Sequence, residues 1–272
     1  MARYASTSPS RPFVKWAGGK GQLLDQFGPH LPPRYGTYHE PFLGGGALFF
    51  HLRPQAAVLS DTNARLVRTW RAVRDDVDGL VALLRGYPHD ADFFYAMRDR
   101  DIDTATDTEV AAWFIYLNKT GFNGLYRVNR KDRFNVPWGR YTNPRICDEP
   151  NLRACAAALR GVDLRHEDFT GVAGRARPGD LVYFDPPYVP LSATASFTAY
   201  TGQGFGPDDQ RRLRDLARDL KARGVQVLLS NSWTPATEAL FAEGFECIAV
   251  AASRAINSKA EGRGPVRELL VR

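Results

Sequence analysis

The apolar run Leu181-Val182-Tyr183-Phe184, which ends at Asp185-Pro186-Pro187-Tyr188, most constrains how this chain folds. Four consecutive apolar residues before a turn signal predict a buried strand. The two prolines then end that strand, because each fixes its φ angle and lacks a backbone N–H group. The chain must therefore turn at Asp185, where an acid and free carbonyl groups lie at the end of a strand.

The residues of this turn suit a particular ligand. The carboxylate of Asp185 and a proline carbonyl can each accept a hydrogen bond from an exocyclic amine, and the ring of Tyr188 can stack on a flat base. The alternative is a plain turn without a ligand. The companion motifs described below favour the ligand.

Alternating strand and helix patterns around this turn predict an α/β fold. Further strands are predicted at 57–60, 225–229, 245–251 and 269–271, and helices through 66–70, at 207–224 and at 234–242. Residues 75–165 interrupt the alternation with a helix at 109–117 and a loop whose Asn123-Gly124 pair is typical of a hairpin turn. We therefore predict a catalytic domain in two parts, 1–74 and 166–272, around an inserted, mainly helical subdomain at 75–165.

The positive charge of the chain is concentrated in this insertion. The formal net charge of the 272 residues is +6, and 119–145 contains seven basic side chains against the single acid Asp132. Aromatic side chains lie among these charges, which favours a polyanionic partner over a solvated basic face. The basic residues are Lys119, Arg127, Arg130, Lys131, Arg133, Arg140 and Arg145.

Cysteine spacing and hydropathy argue against several classes of protein. Cys147, Cys155 and Cys247 form no CxxC pair and no zinc-ligand spacing, so we expect free thiols, no metal site and a cytoplasmic protein. No apolar stretch reaches transmembrane length, and residues 1–12 read as a short flexible tail without a signal core. We expect a monomer with no membrane partner and no obligatory protein partner.

Two glycine motifs and one acid point to a nucleoside-containing ligand. Gly18-Gly19 allows close backbone approach without forming a Walker pattern, although a turn with surface lysines is an alternative. Gly44-Gly45-Gly46 suits a strand–turn–helix unit that receives a nucleoside. Asp61 follows a predicted strand and can accept hydrogen bonds from ribose hydroxyls, or can cap the next helix.

In this order, the motifs resemble those of the Dam-type (D12 class, α group) site-specific DNA adenine-N6 methyltransferases. The resemblance covers nearly the whole chain, from Phe13 to about Leu270. The motifs that carry it are Lys15-Trp16-Ala17-Gly18-Gly19-Lys20, Glu40-Pro41-Phe42-Leu43-Gly44-Gly45-Gly46, Asp61, Asn123-Gly124-Leu125-Tyr126-Arg127, Phe134-Asn135-Val136-Pro137-Trp138-Gly139-Arg140-Tyr141, Asp185-Pro186-Pro187-Tyr188 and Leu191-Ser192-Ala193-Thr194-Ala195.

The resemblance implies a class I S-adenosylmethionine-dependent methyltransferase fold, which is Rossmann-like with a mixed seven-stranded sheet. It implies catalytic roles for Asp185, Pro186, Pro187 and Tyr188. It also implies that the cofactor S-adenosyl-L-methionine contacts Trp16, Lys20, Gly44, Gly46, Asp61 and Asp185. In this assignment Asp61 holds the ribose, and Asp168-Phe169 matches a place where the family often contacts the cofactor adenine.

The partner implied by the resemblance is double-stranded DNA, which implies nucleoid association within the expected cytoplasmic location. The expected DNA-binding residues are Lys15, Phe122, Asn123, Leu125, Arg127, Arg140 and Tyr141. Arg127 is expected to read guanine with two hydrogen bonds, and Phe122 to wedge into the base stack where relatives often carry tyrosine. Leu125 as a core residue and Tyr141 as an ordinary surface aromatic are open alternatives. A basic loop at 259–267 is expected either to touch phosphates or to be an ordinary surface loop.

The implied reaction is methylation of adenine N6, most simply within GATC, after the base leaves the duplex. Asp185 would act by positioning and electrostatics. One alternative is an enzyme of a restriction-modification system that reads another short site. Others are methylation of cytosine, RNA or a protein glutamine, and a DNA-binding relative without activity.

Overall fold

The computed structural model describes residues 10–188, 205–253 and 265–272. Seven strands over these ranges form one sheet: β1 (Tyr38–Glu40), β2 (Ala57–Asp61), β3 (Asp163–His166), β4 (Leu181–Phe184), β5 (Gln226–Ser232), β6 (Cys247–Ser253) and β7 (Pro265–Val271). The strand order is β3-β2-β1-β4-β5-β7-β6. The first five strands pair in parallel, and β7 is antiparallel to both β5 and β6. The predicted mixed seven-stranded α/β sheet is confirmed.

The helices of the described ranges pack on this sheet and on one another. They are α1 (Leu24–Phe27), α2 (Ala47–Leu52), α3 (Ala64–Asp75), α4 (Val77–Gly86), α5 (Ala91–Asp99), α6 (Asp107–Thr120), α7 (Glu149–Ala158), α8 (Pro207–Ala222) and α9 (Pro235–Phe241). In the part of the chain that the structure describes, no helix has the length and apolarity needed to cross a membrane.

Local sequence signals explain where several elements begin. The Asn63 side chain caps α3 by accepting a hydrogen bond from the Leu66 amide at 3.0 Å. Thr106 and Glu109 form a reciprocal capping box at the start of α6. All four residues of β4 are buried, as its apolar run predicts. The helices predicted at 66–70, 109–117, 207–224 and 234–242 are therefore confirmed, with shifts of a few residues at their ends.

Two strands have no clear signal in the sequence. β1 has only three residues, and its buried His39 and Glu40 are polar. β3 lies at the edge of the sheet and exposes two of its four residues. Strand propensity reflects packing on a half-buried surface, which short, polar or edge strands do not display in sequence. The predicted boundary between 165 and 166 falls inside β3.

The predicted flexible tail is wrong for its last residues. Ser10 is buried, and Arg11 exchanges two backbone hydrogen bonds with the side chain of Asn151 on α7, each 3.0 Å long. The amide of Asn151 pairs with the backbone as a neighbouring strand would. The segment that leads into the Phe13 motif is therefore anchored before the motif begins.

The Asn123-Gly124 turn forms, but it does not close a hairpin. Both residues have positive φ angles, 55° and 64°, and the amide of Leu125 donates to the Phe122 carbonyl at 3.2 Å. The side-chain amide of Asn118 donates to the Gly124 carbonyl at 2.7 Å. This hydrogen bond holds the turn against the C-terminal end of α6. Two isolated antiparallel bridges of this region join Gly121 to Trp138 and Val128 to Phe134.

Candidate active site

Three predicted site motifs meet at one edge of the sheet. β1 leads into the glycine loop, β2 ends at Asp61, and β4 ends just before Asp185. These strands are adjacent and parallel, so their carboxyl ends share an edge. Ligands of open α/β sheets bind in the crevice at that edge. The motif 191–195 lies outside the described residues, as does 259–264 of the basic loop.

The carboxylate of Asp185 is held through one of its two oxygens. Nζ of Lys20 lies 2.9 Å from Oδ1, and the Ser230 hydroxyl donates to the same oxygen at 2.7 Å. The hydroxyls of Ser230 and Tyr183 are 3.0 Å apart. Because Ser230 has one hydroxyl hydrogen, which goes to Asp185, Tyr183 is the donor of that bond. No donor among the described residues bonds Oδ2 of Asp185.

The proline turn is fixed from α8. Nε2 of Gln210 donates to the carbonyl of Pro187 at 3.1 Å, and Oε1 of Gln210 accepts from the amide of Asn231 at 3.0 Å. This second bond sets the orientation of the Gln210 amide. Among the described residues, none donates to the carbonyl of Pro186. Among the residues that the structure describes, two acceptors of this turn, Oδ2 of Asp185 and the Pro186 carbonyl, therefore have no donor.

Tyr188 is held at its ring and at its hydroxyl. Nζ of Lys20 lies 4.4 Å from the centre of the ring, within cation–π distance. The hydroxyl donates to Oε2 of Glu268 on β7 at 2.7 Å. Burial raises the pKa of Tyr188 well above its ordinary value, and the negative charges of Asp185 and Glu268 raise it further. The phenol is therefore a neutral hydrogen-bond donor at physiological pH.

Asp61 and the glycine loop form one unit. The carboxylate accepts hydrogen bonds from the amides of Gly44 at 3.1 Å and Asn63 at 2.9 Å. Burial raises the pKa of Asp61. The alternative that Asp61 caps α3 is wrong, because Asn63 is the cap. The carboxylate thus ties the glycine loop to the end of β2.

Glycine is required at two positions of the loop. Gly44 and Gly46 have φ angles of 47° and 61°, in the left-handed region. A Cβ at Gly44 would collide with the ring of Trp16, and one at Gly46 with the ring of Trp70. The predicted cofactor residues Trp16, Gly44 and Asp61 are therefore neighbours, and Lys20 reaches Asp185 from the same N-terminal segment.

Glu40 adds a third acid at this edge. It is buried, and the Tyr38 hydroxyl donates to its Oε2 at 2.8 Å. Burial raises its pKa to about 8, and the charges of Asp185 and Asp61 contribute to the shift. Three carboxyls thus share this edge with the buried cation of Lys20. An acidic edge with a close-approach glycine loop fits S-adenosylmethionine, which carries a sulfonium and an ammonium group.

Phe169 lies beside the glycine motif. Its ring stacks on Phe42 with 5.3 Å between the ring centres, and the Arg212 guanidinium lies 5.2 Å from its centre. The Asp168 side chain caps the short 3-10 helix Phe169–Gly174. The assignment of Asp168-Phe169 to the cofactor adenine stays a prediction.

Lys15 is placed between the cofactor segment and the predicted DNA-reading residues. The side chain of Asn118 bonds both the amide and the carbonyl of Lys15, at 2.7 and 2.8 Å. It also bonds the carbonyl of Gly124, so one buried amide joins two segments. Nζ of Lys15 lies 3.2 Å from the Tyr141 hydroxyl and 4.6 Å from the ring centre.

The other predicted DNA residues differ in their surroundings. Phe122 is 50% exposed, which is unusual for a large apolar side chain. Leu125 is half-buried and packs against the core. Nε of the exposed Arg127 donates to Oδ1 of Asn135 at 2.7 Å. Arg140 is exposed and pairs with no acid among the described residues. Asn123 is exposed at the tip of its turn.

An aromatic stack links the cofactor segment to the insertion. Tyr126 stacks on both Trp16 and Phe114, with ring centres 5.9 and 4.8 Å apart. Arg65 on α3 lies 3.4 Å from the Tyr126 hydroxyl and forms a two-pronged ion pair with Asp103. Tyr126, a residue of the predicted recognition segment, is thus packed directly against Trp16, a predicted cofactor contact.

Sequence reasoning missed several residues of this site. Ser230, Gln210, Asn118 and Glu268 contact predicted site residues from elements distant in sequence. The one available signal was the polar end of β5: Ser230 and its two successors are buried although they are polar. Buried polar side chains need partners, which marks such a run as a candidate network.

Comparisons with known proteins agree with this geometry. Residues 16–256 match the family model described as D12 class N6 adenine-specific DNA methyltransferase. The chain is 42% identical to the type II methyltransferase M1.LlaDCHI of Lactococcus lactis subsp. cremoris, over 96% of this chain and 94% of the relative. It is 40% identical to the type II methyltransferase M.MjaIII of Methanocaldococcus jannaschii, over 96% and 98%. It is 35% identical to the DNA adenine methylase of Escherichia coli K12, over 96% and 94%.

Proposed function

Since the chain belongs to the D12 class of N6 adenine-specific DNA methyltransferases, we propose that it methylates adenine N6 within GATC in duplex DNA, using S-adenosyl-L-methionine. Its mixed seven-stranded sheet is the class I methyltransferase fold expected from the sequence. The alternatives of a non-catalytic relative and of methylation of cytosine, RNA or protein do not agree with the family. What we propose beyond the family is the GATC recognition sequence and the roles of the individual residues.

The observation that carries the proposal is the pair of acceptors after β4 that no described residue bonds. Oδ1 of Asp185 is held by Lys20 and Ser230, which leaves Oδ2 and the Pro186 carbonyl for a ligand. An exocyclic amine has two hydrogens, one for each acceptor. Such contacts pull the nitrogen toward a tetrahedral shape, with its lone pair directed away from the ring. They therefore make a poor nucleophile, the delocalised N6, more reactive.

The remaining residues bind and orient the two substrates. When bound, S-adenosylmethionine supplies a methyl group on a positively charged sulfur. Trp16, the glycine loop and Asp61 would hold it, with Asp61 on the ribose. Asp185 stays in place through Lys20 and Ser230 while the amine approaches, so little reorganisation is needed. The methylated amine is cationic and loses its proton readily.

The target base would reach Asp185 by leaving the duplex. Extrusion costs a few kcal/mol of stacking, and a face of Tyr188 offers new stacking in return. Phe122, exposed on its turn, would fill the space left in the helix. Arg127 would read a guanine edge with two hydrogen bonds, worth about 1–3 kcal/mol of discrimination. Its bond to Asn135 already limits the freedom of its guanidinium.

Sequencing of modified DNA tests the reaction and the site together. DNA from cells that express the protein should carry N6-methyladenine at GATC, and plasmid from these cells should resist a nuclease that GATC methylation blocks. Asp185→Ala should abolish the mark. Methyladenine at another sequence would reject GATC and keep the reaction. Methylation on a base other than adenine would reject the proposal entirely.

A place in a restriction-modification system is a second candidate. Two relatives that cover nearly the whole chain are named type II methyltransferases, whereas others are named DNA adenine methylases. A nuclease encoded beside the gene that cleaves the same site only when it is unmethylated would support this role. Full methylation in cells without such a nuclease would support a solitary enzyme.

A further inference from the structure

We propose that Glu268 is a positioning residue, which fixes the ring of Tyr188 against the target base through a hydrogen bond to the tyrosine hydroxyl. The inference rests on the proposed function, because it assigns the target base to this ring. The hydroxyl donates to Oε2 of Glu268 at 2.7 Å, across 80 positions of sequence. No motif of the resemblance contains Glu268.

The backbone of Glu268 is fixed from both sides. It lies on β7 in register with Ser232 of β5 and with Val250 of β6. A residue in the interior of a sheet holds its side chain more precisely than one on a loop. Tyr188, in contrast, follows two prolines at the end of its strand, so its ring needs support from elsewhere in the fold.

The hydrogen bond between Tyr188 and Glu268 is charge-assisted and therefore strong. Burial, followed by the charges of Asp185 and Glu268, raises the pKa of Tyr188 well above its usual range. The phenol therefore keeps its hydrogen and donates it to a carboxylate oxygen. Hydrogen bonds to an ionised acceptor are shorter and stronger than those between neutral groups.

Glu268 and Lys20 together define the place of the ring. Nζ of Lys20 lies 4.4 Å from the ring centre of Tyr188 and 2.9 Å from Oδ1 of Asp185. The ammonium group of Lys20 thus contacts both the ring of Tyr188 and the carboxylate of Asp185. The hydrogen bond to Glu268 prevents the ring from moving away from this position. A base stacked on the ring would then present its amine to Asp185 in a constant geometry, which transfer of a methyl group requires.

Glu268→Ala is expected to lower the single-turnover rate constant of methyl transfer about 10- to 100-fold, the cost of a misplaced reactant. The dissociation constants for duplex DNA and for S-adenosylmethionine should change little. Glu268→Gln keeps an acceptor oxygen and should recover most of the rate. Glu246→Ala is the matched control, since it removes an exposed carboxyl that pairs with Arg272, just after the C-terminal end of β7. It should leave rate and binding unchanged.

Tyr188→Phe removes the same bond from the other side. It should reduce the rate as much as Glu268→Ala does, and the double variant should be no slower than either single variant. This arm does not depend on Glu268→Ala folding, because the ring and its packing are kept. Thermal unfolding of every variant separates lost stability from lost rate.

A rate for Tyr188→Phe or Glu268→Ala within about twofold of wild type would overturn the inference, as would additive losses in the double variant. A Glu268→Gln variant as slow as Glu268→Ala would also count against it, because the acceptor would then not matter. Wild-type protein that methylates no adenine would instead reject the proposed function. The two failures are therefore distinct.

Discussion

Asp185 presents two different oxygens to its surroundings. Oδ1 accepts from Ser230 and pairs with Lys20, while no described residue bonds Oδ2. This division explains how a charged side chain can be rigid and still available to a ligand. The chain Tyr183–Ser230–Asp185 has a fixed direction, because each hydroxyl has one hydrogen to give. The proposed preorganisation of this site therefore depends on which oxygen of Asp185 each neighbour contacts.

Glu40 gives a prediction on pH at the same scale. Burial raises its pKa from 4.5 to about 8 in the folded protein. Between these values the folded state binds more protons at this site than the unfolded chain does. The contribution of Glu40 to stability therefore falls as pH rises through this window, by up to about 1.4 kcal/mol per pH unit, and is constant above it.

Glu40→Gln removes this titration while it keeps an acceptor for Tyr38. The free energy of unfolding of the variant, relative to wild type without cofactor, is expected to increase between about pH 5 and about pH 8. Urea unfolding across this range measures the difference. A difference that does not change with pH would contradict the burial of an ionisable Glu40.

At the scale of elements, the C-terminal end of α6 joins the two predicted binding surfaces. Asn118 bonds the backbone of Lys15 on one side and the carbonyl of Gly124 on the other. The Trp16–Tyr126–Phe114 stack crosses the same boundary. The predicted cofactor segment and the predicted recognition turn are thus both held by one helix, so a shift of either would disturb the other.

Asn118→Ala tests this connection. It would leave buried backbone groups of Lys15 and Gly124 without partners, so the free energy of unfolding should fall by about 1–3 kcal/mol. Thr120→Val is the control on the same helix, since the Thr120 hydroxyl donates to the Tyr116 carbonyl one turn earlier and so joins no second segment among the described residues. Its effect in chemical denaturation should be clearly smaller. Equal losses would show that Asn118 has no special role.

At the scale of the whole molecule, charge and topology act together. The basic segment 119–145 begins in the last turn of α6. α6 packs against α3, the helix that follows Asp61 in the chain. The hydrophobic core is continuous from Phe13 through α3 and α6 to β3. The proposed DNA-binding surface is therefore attached rigidly to the proposed cofactor edge.

The salt dependence of DNA binding separates two kinds of basic residue. Arg140→Ala is expected to reduce the slope of log K against log salt by about 0.9, the value for one lost phosphate contact. It should weaken GATC and near-cognate duplexes equally. Arg127→Ala should mainly reduce discrimination between these duplexes. Titrations at several salt concentrations measure both quantities, and the reverse pattern would exchange the two assignments.

Much of the fold was predictable from local patterns. The run at 181–184, the helix that begins at Pro207 and the strand at 57–60 have unambiguous signals, and each forms. β1 and β3 were not predicted, because β1 is very short and polar and β3 is an edge strand. The Asn123-Gly124 pair adopted the predicted backbone angles, but Asn118 determined what that turn joins. Short sequence patterns thus specify the local backbone conformation, but they do not specify which distant residues a segment contacts.

The sequence by itself determined the chemistry of the site: a carboxylate before two prolines, a close-approach glycine loop, and an acid at the end of a second strand. These features depend on residue type and short spacing, so a single chain displays them. The tertiary structure alone decided which oxygen of Asp185 has no donor among the described residues, what holds Tyr188, and how Lys15 meets the Asn123-Gly124 turn. The partners Ser230, Glu268 and Asn118 are brought there by strand order and helix packing. Their contacts span 45, 80 and 103 positions of sequence, a range at which no local pattern can specify a neighbour.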